Sequence, residues 1–209
     1  WGADETGDIR NLNNIKYYKQ LCKNVELITS DCGIPMGVEG YEHIAFSSIV
    51  AILYLLPING SMIFKIILPI ELPLIWNLLY ICYQNFKELL FFKPLQNQQS
   101  REFYVIGKGY LGTKDSIMNV LFKIVKKLNI NIDLFNDEYP EPFVRQVLFS
   151  VGELANKWNY AIERQIYYFD NFDLIDEKLI KLIREYIKEK NLEWINKYKI
   201  KSLPRYLYL

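Results

Sequence analysis

Apolar residues in the first half of the chain form short continuous runs, and these alternate with longer stretches rich in apolar positions. Runs of roughly four to eight residues are typical of strands buried in a sheet, and the longer stretches are typical of covering helices. The pattern predicts a helix near 11–21, a strand at 25–30, a helix at 41–56, a strand at 61–68, a helix at 74–83 and strands at 86–92 and 102–108. This order predicts an α/β fold with a mostly parallel sheet, closed by a hairpin-like pair of its last two strands.

The pattern changes after Gly112, where apolar runs give way to amphipathic helices. We predict helices at 114–128, 141–168 and 177–190, in a part of the chain rich in Tyr, Lys and Glu. Residues 1–112 are therefore predicted to form the α/β domain, and residues 113–209 a helical appendage.

Three charged residues interrupt or border the predicted strands. Asp31 follows the first strand, Lys65 lies within the second, and Glu102 begins the last. A charged side chain in such a position costs free energy unless it has a partner. Open α/β sheets place their sites at the carboxyl ends of their strands. We therefore predict that the three side chains meet at the carboxyl ends of neighbouring strands.

Each of these residues also has a purely structural explanation when it is taken alone. Lys65 could reach from an edge strand to water, and Asp31 could cap the turn that contains Gly33. Glu102 could form an exposed ion pair with Arg101, which would contribute little stability. The interpretation as one site depends on the three residues together.

Composition bounds the class of protein. Hydrophobic residues make up 51% of the 209 residues and aromatic residues 15%, as in a folded protein with a sizeable core. Lysine and arginine number 25 against 24 acidic residues, so any contact with RNA must come from local patches. The richness in Ile, Asn, Lys and Tyr suggests an A+T-rich genome, such as that of a large cytoplasmic DNA virus.

The three cysteines and the one histidine limit the kinds of functional site and the cellular compartment that the sequence predicts. Cys22, Cys32 and Cys82 lack the paired spacing of a metal site or a disulfide framework, so we expect a reducing compartment. Because His43 is the one histidine, neither a histidine-based triad nor a zinc site is predicted. We expect a cytoplasmic location, which for a viral protein means the host cytoplasm or the virion.

Two apolar segments require comparison with membrane spans. Residues 44–58 are too few to cross a bilayer, and residues 63–83 are interrupted by Lys65, Glu71 and two prolines. No signal peptide is visible, and we expect no membrane partner. The chain begins at Trp1 rather than Met, which suggests a division within a longer fold.

Six short motifs follow one another in order along residues 4–112. They are Thr6-Gly7-Asp8-Ile9, Ser30-Asp31-Cys32-Gly33, Val38-Glu39-Gly40, Asn59-Gly60-Ser61-Met62-Ile63-Phe64-Lys65, Phe92-Lys93-Pro94 and Ser100-Arg101-Glu102-Phe103-Tyr104. In this order they resemble the FtsJ-like (RrmJ-type) RNA 2′-O-methyltransferases, and among these the cap-specific mRNA enzymes of the Adrift type. Each motif is weak alone, but their order and spacing make the resemblance fairly specific.

The resemblance implies a Rossmann-like methyltransferase sheet, of which residues 1–112 are the C-terminal half. It implies S-adenosyl-L-methionine as cofactor and methylation of a ribose 2′-oxygen that forms the mRNA cap-1 structure. The last three members of the family's catalytic Lys-Asp-Lys-Glu set fall on Asp31, Lys65 and Glu102. Gly7 and Asp8 match the segment that approaches the adenine of the cofactor, and Asp31 is a further cofactor-binding candidate.

The chain also departs from the family. It contains no Gly-x-Gly-x-Gly loop for the methionine part of the cofactor, and Cys32 stands where family members often have Gly. The loop and the first catalytic lysine precede this segment in the family, so we expect them in a missing N-terminal half of the same protein. The alternative is a catalytically inactive relative that binds RNA or a capping or transcription partner as a scaffold. An unrelated α/β interaction domain is a third possibility, which requires the three charged residues to lie far apart.

The implied reaction sets a condition on Lys65. A ribose 2′-hydroxyl must lose its proton as it attacks a methyl group. Lys65 can accept that proton only if its pKa is lowered, which burial and a second nearby cation would achieve. The missing upstream lysine would supply that cation, while Asp31 and Glu102 would orient Lys65.

Polar residues between the last two predicted strands are candidates for RNA contact. Lys93, Asn97 and Ser100 could hold the RNA backbone or a ribose, and the expected RNA partner is the capped 5′ end of an mRNA. The basic, aromatic tail at 197–205 could also touch phosphates, or could simply be solvated. A second copy of the chain or a protein of a capping complex is a further candidate partner.

Overall fold

Helices and strands alternate in the computed structural model much as the sequence predicts. The structure describes residues 2–31, 40–94, 98–127, 133–136, 138–172, 176–199 and 201. The elements are α1 (Leu12–Leu21), β1 (Leu27–Ser30), α2 (Tyr41–Leu55), β2 (Ser61–Ile67), α3 (Pro73–Asn85), β3 (Phe86–Phe92), β4 (Glu102–Tyr110), α4 (Asp115–Lys126), α5 (Glu141–Asp170) and α6 (Glu177–Lys197). The predicted order of elements is thereby confirmed, with ends that differ by a few residues.

Local signals explain where the first helix begins. The side chain of Asn11 accepts a hydrogen bond from the backbone N–H of Asn13, which satisfies one of the unpaired donors at the start of α1. Ile15 on this helix is fully buried and Tyr18 packs against the core, so these two residues mark the inward face of α1.

The four strands form one sheet in the order β1-β2-β4-β3. β1 pairs with β2 in parallel, whereas β4 is antiparallel to both β2 and β3. The predicted hairpin-like pair is present, but the prediction of mostly parallel pairing is wrong. The reason is that β4 turns back after β3 and inserts between β2 and β3, which exchanges a parallel pair for two antiparallel ones.

Helices cover the sheet and bury most of the apolar residues. Eleven of the fifteen residues of α2 are buried, as expected for a helix that is apolar on most faces. Alternate residues of β2 and β4 point into this core, including Phe64, Phe103 and Val105. The residues between them, among which are Lys65 and Tyr104, lie on the less buried face.

The chain divides into two compact units, residues 1–161 and residues 162–209. This division does not coincide with the predicted boundary at 112–113. In the first unit, α4 and the start of α5 contribute Leu121, Val125 and Phe143 to the same buried cluster as the sheet. In the second unit, no residue of α6 is buried. Each helix within the described ranges is too short or too polar to cross a membrane.

Candidate active site

Strand register brings residues that are distant in sequence to one edge of the sheet. Ser30 pairs with Phe64, so Asp31 comes directly beside Lys65 as β1 ends. Lys65 in turn lies opposite Tyr104 across the antiparallel β2–β4 pair. Glu102 is two residues before Tyr104, so the two side chains share one face of β4. Because β4 runs opposite to β1 and β2, its beginning lies at the edge where those strands end.

The ammonium of Lys65 joins the two predicted carboxylates. Lys65 Nζ lies 2.7 Å from Asp31 Oδ1 and 3.5 Å from Glu102 Oε1. The side chain of Lys65 is only 8% exposed, whereas those of Asp31 and Glu102 are 64% and 31% exposed. The structure therefore brings the three predicted residues together, although Glu102 lies at the amino end of its strand and not at a carboxyl end.

The carboxylates determine the charge of Lys65. Burial disfavours its charged form, but the hydrogen bond to Asp31 and the negative charge of Glu102 outweigh burial and raise the pKa of Lys65. Within this chain the pKa of Lys65 is thus raised, whereas a lowered pKa was expected only with a second cation from outside these residues. Burial alone would lower the pKa, but two carboxylates beside one amine favour the ammonium.

Tyr104 is a member of the site that sequence reasoning did not single out. Its hydroxyl donates to Asp31 Oδ1 over 3.4 Å, a long and weak hydrogen bond. Burial and the charge of Asp31 raise the pKa of Tyr104, so the phenol keeps its proton at neutral pH. The signal was available in the sequence, because residues two apart on a strand share a face and Glu102 had already been chosen.

Lys93, the first predicted RNA contact, points into the protein. It is 6% exposed, and its Nζ donates to the backbone carbonyls of Ser100 and Glu102, the latter over 2.7 Å. Burial lowers the pKa of Lys93, while the charge of Glu102 opposes that effect. The structure therefore does not place the Lys93 ammonium at the surface, because it is covered and already satisfies two carbonyls, and its contact with RNA stays an untested prediction.

The other two predicted RNA contacts have different outcomes. Ser100 is half-buried, and its hydroxyl accepts a hydrogen bond from the Glu102 backbone N–H over 3.0 Å. Asn97 lies outside the described residues. The end of this loop is tied to α5, because the indole N–H of Trp158 donates to the Gln99 carbonyl over 2.8 Å.

Gly7 and Asp8, the residues predicted to approach the cofactor's adenine, form a hydrogen-bonded turn before α1. Gly7 has φ +74°, a left-handed conformation that favours glycine, and its carbonyl accepts from the Tyr18 hydroxyl. Both carboxylate oxygens of Asp8 accept from Arg10, with Nη2 at 2.7 Å from Oδ2. These bonds lower the pKa of Asp8, so its carboxylate is ionised and already occupied.

Comparison with known proteins gives one substantial sequence relative, of viral origin. No protein-family model matches the chain. The uncharacterised protein L511 of Acanthamoeba polyphaga mimivirus is 32% identical over 218 aligned positions, which cover 98% of this chain. The chain spans 27% of the length of that relative. A viral relative agrees with the viral source that the composition suggests.

Among solved structures, a Plasmodium falciparum protein described as a ribosomal RNA methyltransferase is 23% identical to this chain. The superposition covers 54% of this chain and 61% of the other, with a TM-score of 0.36. At that score the likeness establishes neither a common fold nor a common activity. What the structure itself establishes is a mixed α/β sheet with a lysine and two carboxylates at one edge.

Proposed function

We propose that the chain carries the catalytic residues of an S-adenosyl-L-methionine-dependent RNA 2′-O-ribose methyltransferase that forms the cap-1 structure of mRNA. The observation that supports this proposal best is the contact of Lys65 with both Asp31 and Glu102 at one edge of the sheet. Three residues chosen from separate motifs, 34 and 37 positions apart, would not be expected to share one ion-pair cluster by chance.

In this proposal Lys65 acts on the ribose 2′-oxygen. The 2′-hydroxyl would form a bond to the methyl group that the cofactor supplies and would give up its proton, which a neutral Lys65 could accept. An ammonium at Lys65 would hold the 2′-oxygen and stabilise the negative charge that develops on it, which electrostatic groups in enclosed sites do effectively. To accept the proton itself, Lys65 must first become neutral, and a second cation beside it would lower its pKa far enough.

Asp31 and Glu102 have orienting roles in the same proposal. Each carboxylate accepts from the Lys65 ammonium, and the long side chain of a lysine loses considerable freedom when it is held from two sides. Because these two carboxylates share one ammonium, the three residues together carry one negative charge in excess. That excess charge would attract the first lysine of the family's catalytic set, which the proposal places outside these 209 residues together with the glycine-rich loop.

The cofactor, when bound, supplies the methyl group and a positively charged sulfur. Asp31 fits such a group, because its carboxylate is 64% exposed and lies at the end of a parallel strand. Gly7 and Asp8 fit less directly, since both oxygens of Asp8 bind Arg10 and a ribose or adenine would have to share them. We therefore assign Asp31 the main contact within this chain, and Gly7-Asp8 a contact that requires Arg10 to move.

RNA is the proposed substrate, but its contacts differ from the first expectation. Ser100 and Asn97 remain proposed contacts, whereas Lys93 is replaced by groups on the exposed surface of the same loop. Arg101 is exposed there and directly precedes Glu102, so it is a cation next to the site that could bind a phosphate. Capping-complex proteins and a second copy of the chain are further proposed partners.

Isothermal titration calorimetry with S-adenosyl-L-methionine tests the proposal first. The titrant is added to this chain and to a longer form of the protein with its preceding residues. We expect heat of binding from the longer form and little from this chain, because the proposed glycine-rich loop is needed to hold the methionine part. If neither form binds, the inactive scaffold becomes the better explanation, with Asp31, Lys65 and Glu102 left from a lost reaction.

A further inference from the structure

Lys93 is unusual for its burial. Among the buried polar residues that the structure describes it is the one with a formal charge, and lysine is seldom fully buried without partners. Its position is set by sequence, because it directly follows β3 and precedes Pro94. Its side chain turns towards the beginning of β4, where its ammonium finds its partners.

The contacts of Lys93 converge on the beginning of β4. Its ammonium binds the carbonyls of Ser100 and Glu102, which lie on either side of Arg101. The Glu102 N–H donates to the Ser100 hydroxyl, and the Arg101 carbonyl accepts from the Leu68 N–H over 2.9 Å. Both backbone groups of Glu102 therefore have a partner that depends on residues 93–100.

This arrangement bears directly on the proposed active site. Glu102 Oε1 lies 3.5 Å from Lys65 Nζ, a longer contact than the 2.7 Å of Asp31 Oδ1, so a shift of the strand start away from Lys65 would weaken it further. A hydrogen bond from an ammonium is stronger than one between neutral groups, and in a buried place it is stronger still. Lys93 is thus well suited to hold this backbone in place.

We propose that Lys93 is a positioning residue, whose buried ammonium fixes the start of β4 so that the Glu102 carboxylate faces Lys65. This inference rests on the proposed function for its catalytic meaning, but the geometric part stands on contacts within this chain. It also gives the Lys-Pro motif a role other than RNA contact.

The sign of one measurable shift separates positioning from a direct charge effect. If Lys93 acted on Lys65 only as a nearby positive charge, its removal would raise the pKa of Lys65. If Lys93 positions Glu102, its removal weakens the Glu102–Lys65 attraction and lowers the pKa of Lys65. The two explanations therefore predict opposite shifts at the same nitrogen.

The test is NMR titration of the full 209-residue chain with ¹³C-labelled lysine, comparing the parent with Lys93→Met. We expect the pKa of Lys65 to fall by about half a unit to one unit in the variant, as for partial loss of a close opposite charge. Lys87→Met is the matched control. Lys87 is an exposed lysine at the other end of β3 that donates to Asn59 Oδ1, and its loss is expected to leave Lys65 unchanged.

Two further variants support the test: one serves if Lys93→Met does not fold, and the other removes the Glu102 carboxylate beforehand. If Lys93→Met does not fold, Ser100→Ala removes the acceptor of the Glu102 N–H without a change of charge, and the pKa of Lys65 is expected to fall less but in the same direction. In a Glu102→Gln background, Lys93→Met should cause no further fall, since the carboxylate is already gone. An unchanged or raised pKa of Lys65 in the folded single variants would overturn the inference.

Activity of the longer protein distinguishes this inference from the proposed function. Loss of positioning should reduce kcat for methyl transfer and leave the KM for capped RNA nearly unchanged, whereas a lost RNA contact would raise KM. If the longer protein transfers no methyl group at all, the proposed function fails while the Lys65 titration still decides the positioning role. If transfer occurs but the titration shows no fall, only the positioning role is lost.

Discussion

Lys65 and Tyr104 face each other across two antiparallel strands, and both side chains contact the same oxygen, Oδ1 of Asp31. The lysine contact is 2.7 Å and the tyrosine contact 3.4 Å, so the lysine makes the stronger of the two. Asp31 lies just beyond the end of β1, where a carboxylate would otherwise be free to move. Its position is therefore set by residues of two other strands.

Replacement of Lys65 by alanine is expected to abolish methyl transfer by the longer protein without unfolding it. Loss of a group that acts on the reacting oxygen costs roughly a hundredfold to ten-thousandfold in rate. The variant should lose some stability but stay folded, because Asp31 and Glu102 keep access to water once their partner is gone. Methyl transfer to capped RNA and thermal unfolding measure the two effects.

The matched control for that variant is Lys108→Ala. Lys108 also pairs with a glutamate on the same sheet, at 3.5 Å from Glu88, but both side chains are more than half exposed. We expect full activity and a change in stability below about 1 kcal/mol, as for exposed ion pairs. Full activity in Lys65→Ala would refute the assignment of Lys65.

Removal of the Tyr104 hydroxyl is expected to have a modest effect. In Tyr104→Phe the weak contact to Asp31 is lost, so methyl transfer should fall by less than about tenfold and stability should stay within about 0.5 kcal/mol. Steady-state kinetics and urea unfolding give both values. A hundredfold loss of activity would mean that the phenol acts on the substrate rather than on Asp31.

A second tyrosine on the same strand provides the contrast. The Tyr110 hydroxyl is buried, donates to the Leu53 carbonyl and contacts Thr113 Oγ1. Tyr110→Phe leaves that buried carbonyl without this donor, which should lower the free energy of unfolding by about 1–3 kcal/mol. Specific activity of the folded fraction should stay unchanged, since Tyr110 is at the opposite end of β4 from Glu102.

Lys65 and Lys93 are expected to titrate in a fixed order. Lys93 should lose its proton below the ordinary value of 10.5, and Lys65 above it. A raised folded pKa means that Lys65 adds stability that is full below pH 10.5 and disappears as the pH rises through its folded value. The lowered pKa of Lys93 has the opposite effect on stability. The buried Lys93 ammonium destabilises the folded protein at low pH, and this cost disappears as the amine becomes neutral.

This order has a consequence for unfolding. The destabilisation caused by Lys65→Met should shrink as the pH rises above 10.5, whereas that caused by Lys87→Met should change less. Urea unfolding of the parent and both variants across this range provides the comparison. A destabilisation by Lys65→Met that is constant with pH would contradict the raised pKa of Lys65.

The limits of the folding unit can be tested by truncation. Phe143 at the start of α5 is 1% exposed and packs against Trp76, with ring centroids 6.1 Å apart and nearly perpendicular. Phe143→Ala should therefore lower the free energy of unfolding by about 3–5 kcal/mol. A chain ending at residue 161 should unfold cooperatively, whereas one ending at residue 112 should not, as calorimetry would show.

Sequence patterns predicted the elements well because buried runs and amphipathic stretches differ in length and period. They also identified Asp31, Lys65 and Glu102, because a charge inside an apolar run requires an explanation. They did not reveal that β4 inserts between β2 and β3, since pairing partners depend on how the whole sheet packs. Nor did they reveal the inward direction of Lys93, because polar neighbours such as Ser100 suggested an exposed loop.

The position of Tyr104 was missed for a different reason. A tyrosine in a strand is most often a packing residue, so its position two residues from Glu102 on the same face was not taken as a sign of the site. The pairing of β2 with β4 shows in addition that it lies opposite Lys65.

The pairing of β2 with β4 constrains one sequence interval between site residues and leaves another free. The interval from Glu102 to Tyr104 must remain an even number, because one inserted residue would turn one of the two side chains into the core. The interval from Lys65 to Glu102 has no such parity, since it passes through α3, β3 and a loop. Related chains should therefore vary freely in the length of the long interval, whereas the short one should stay even.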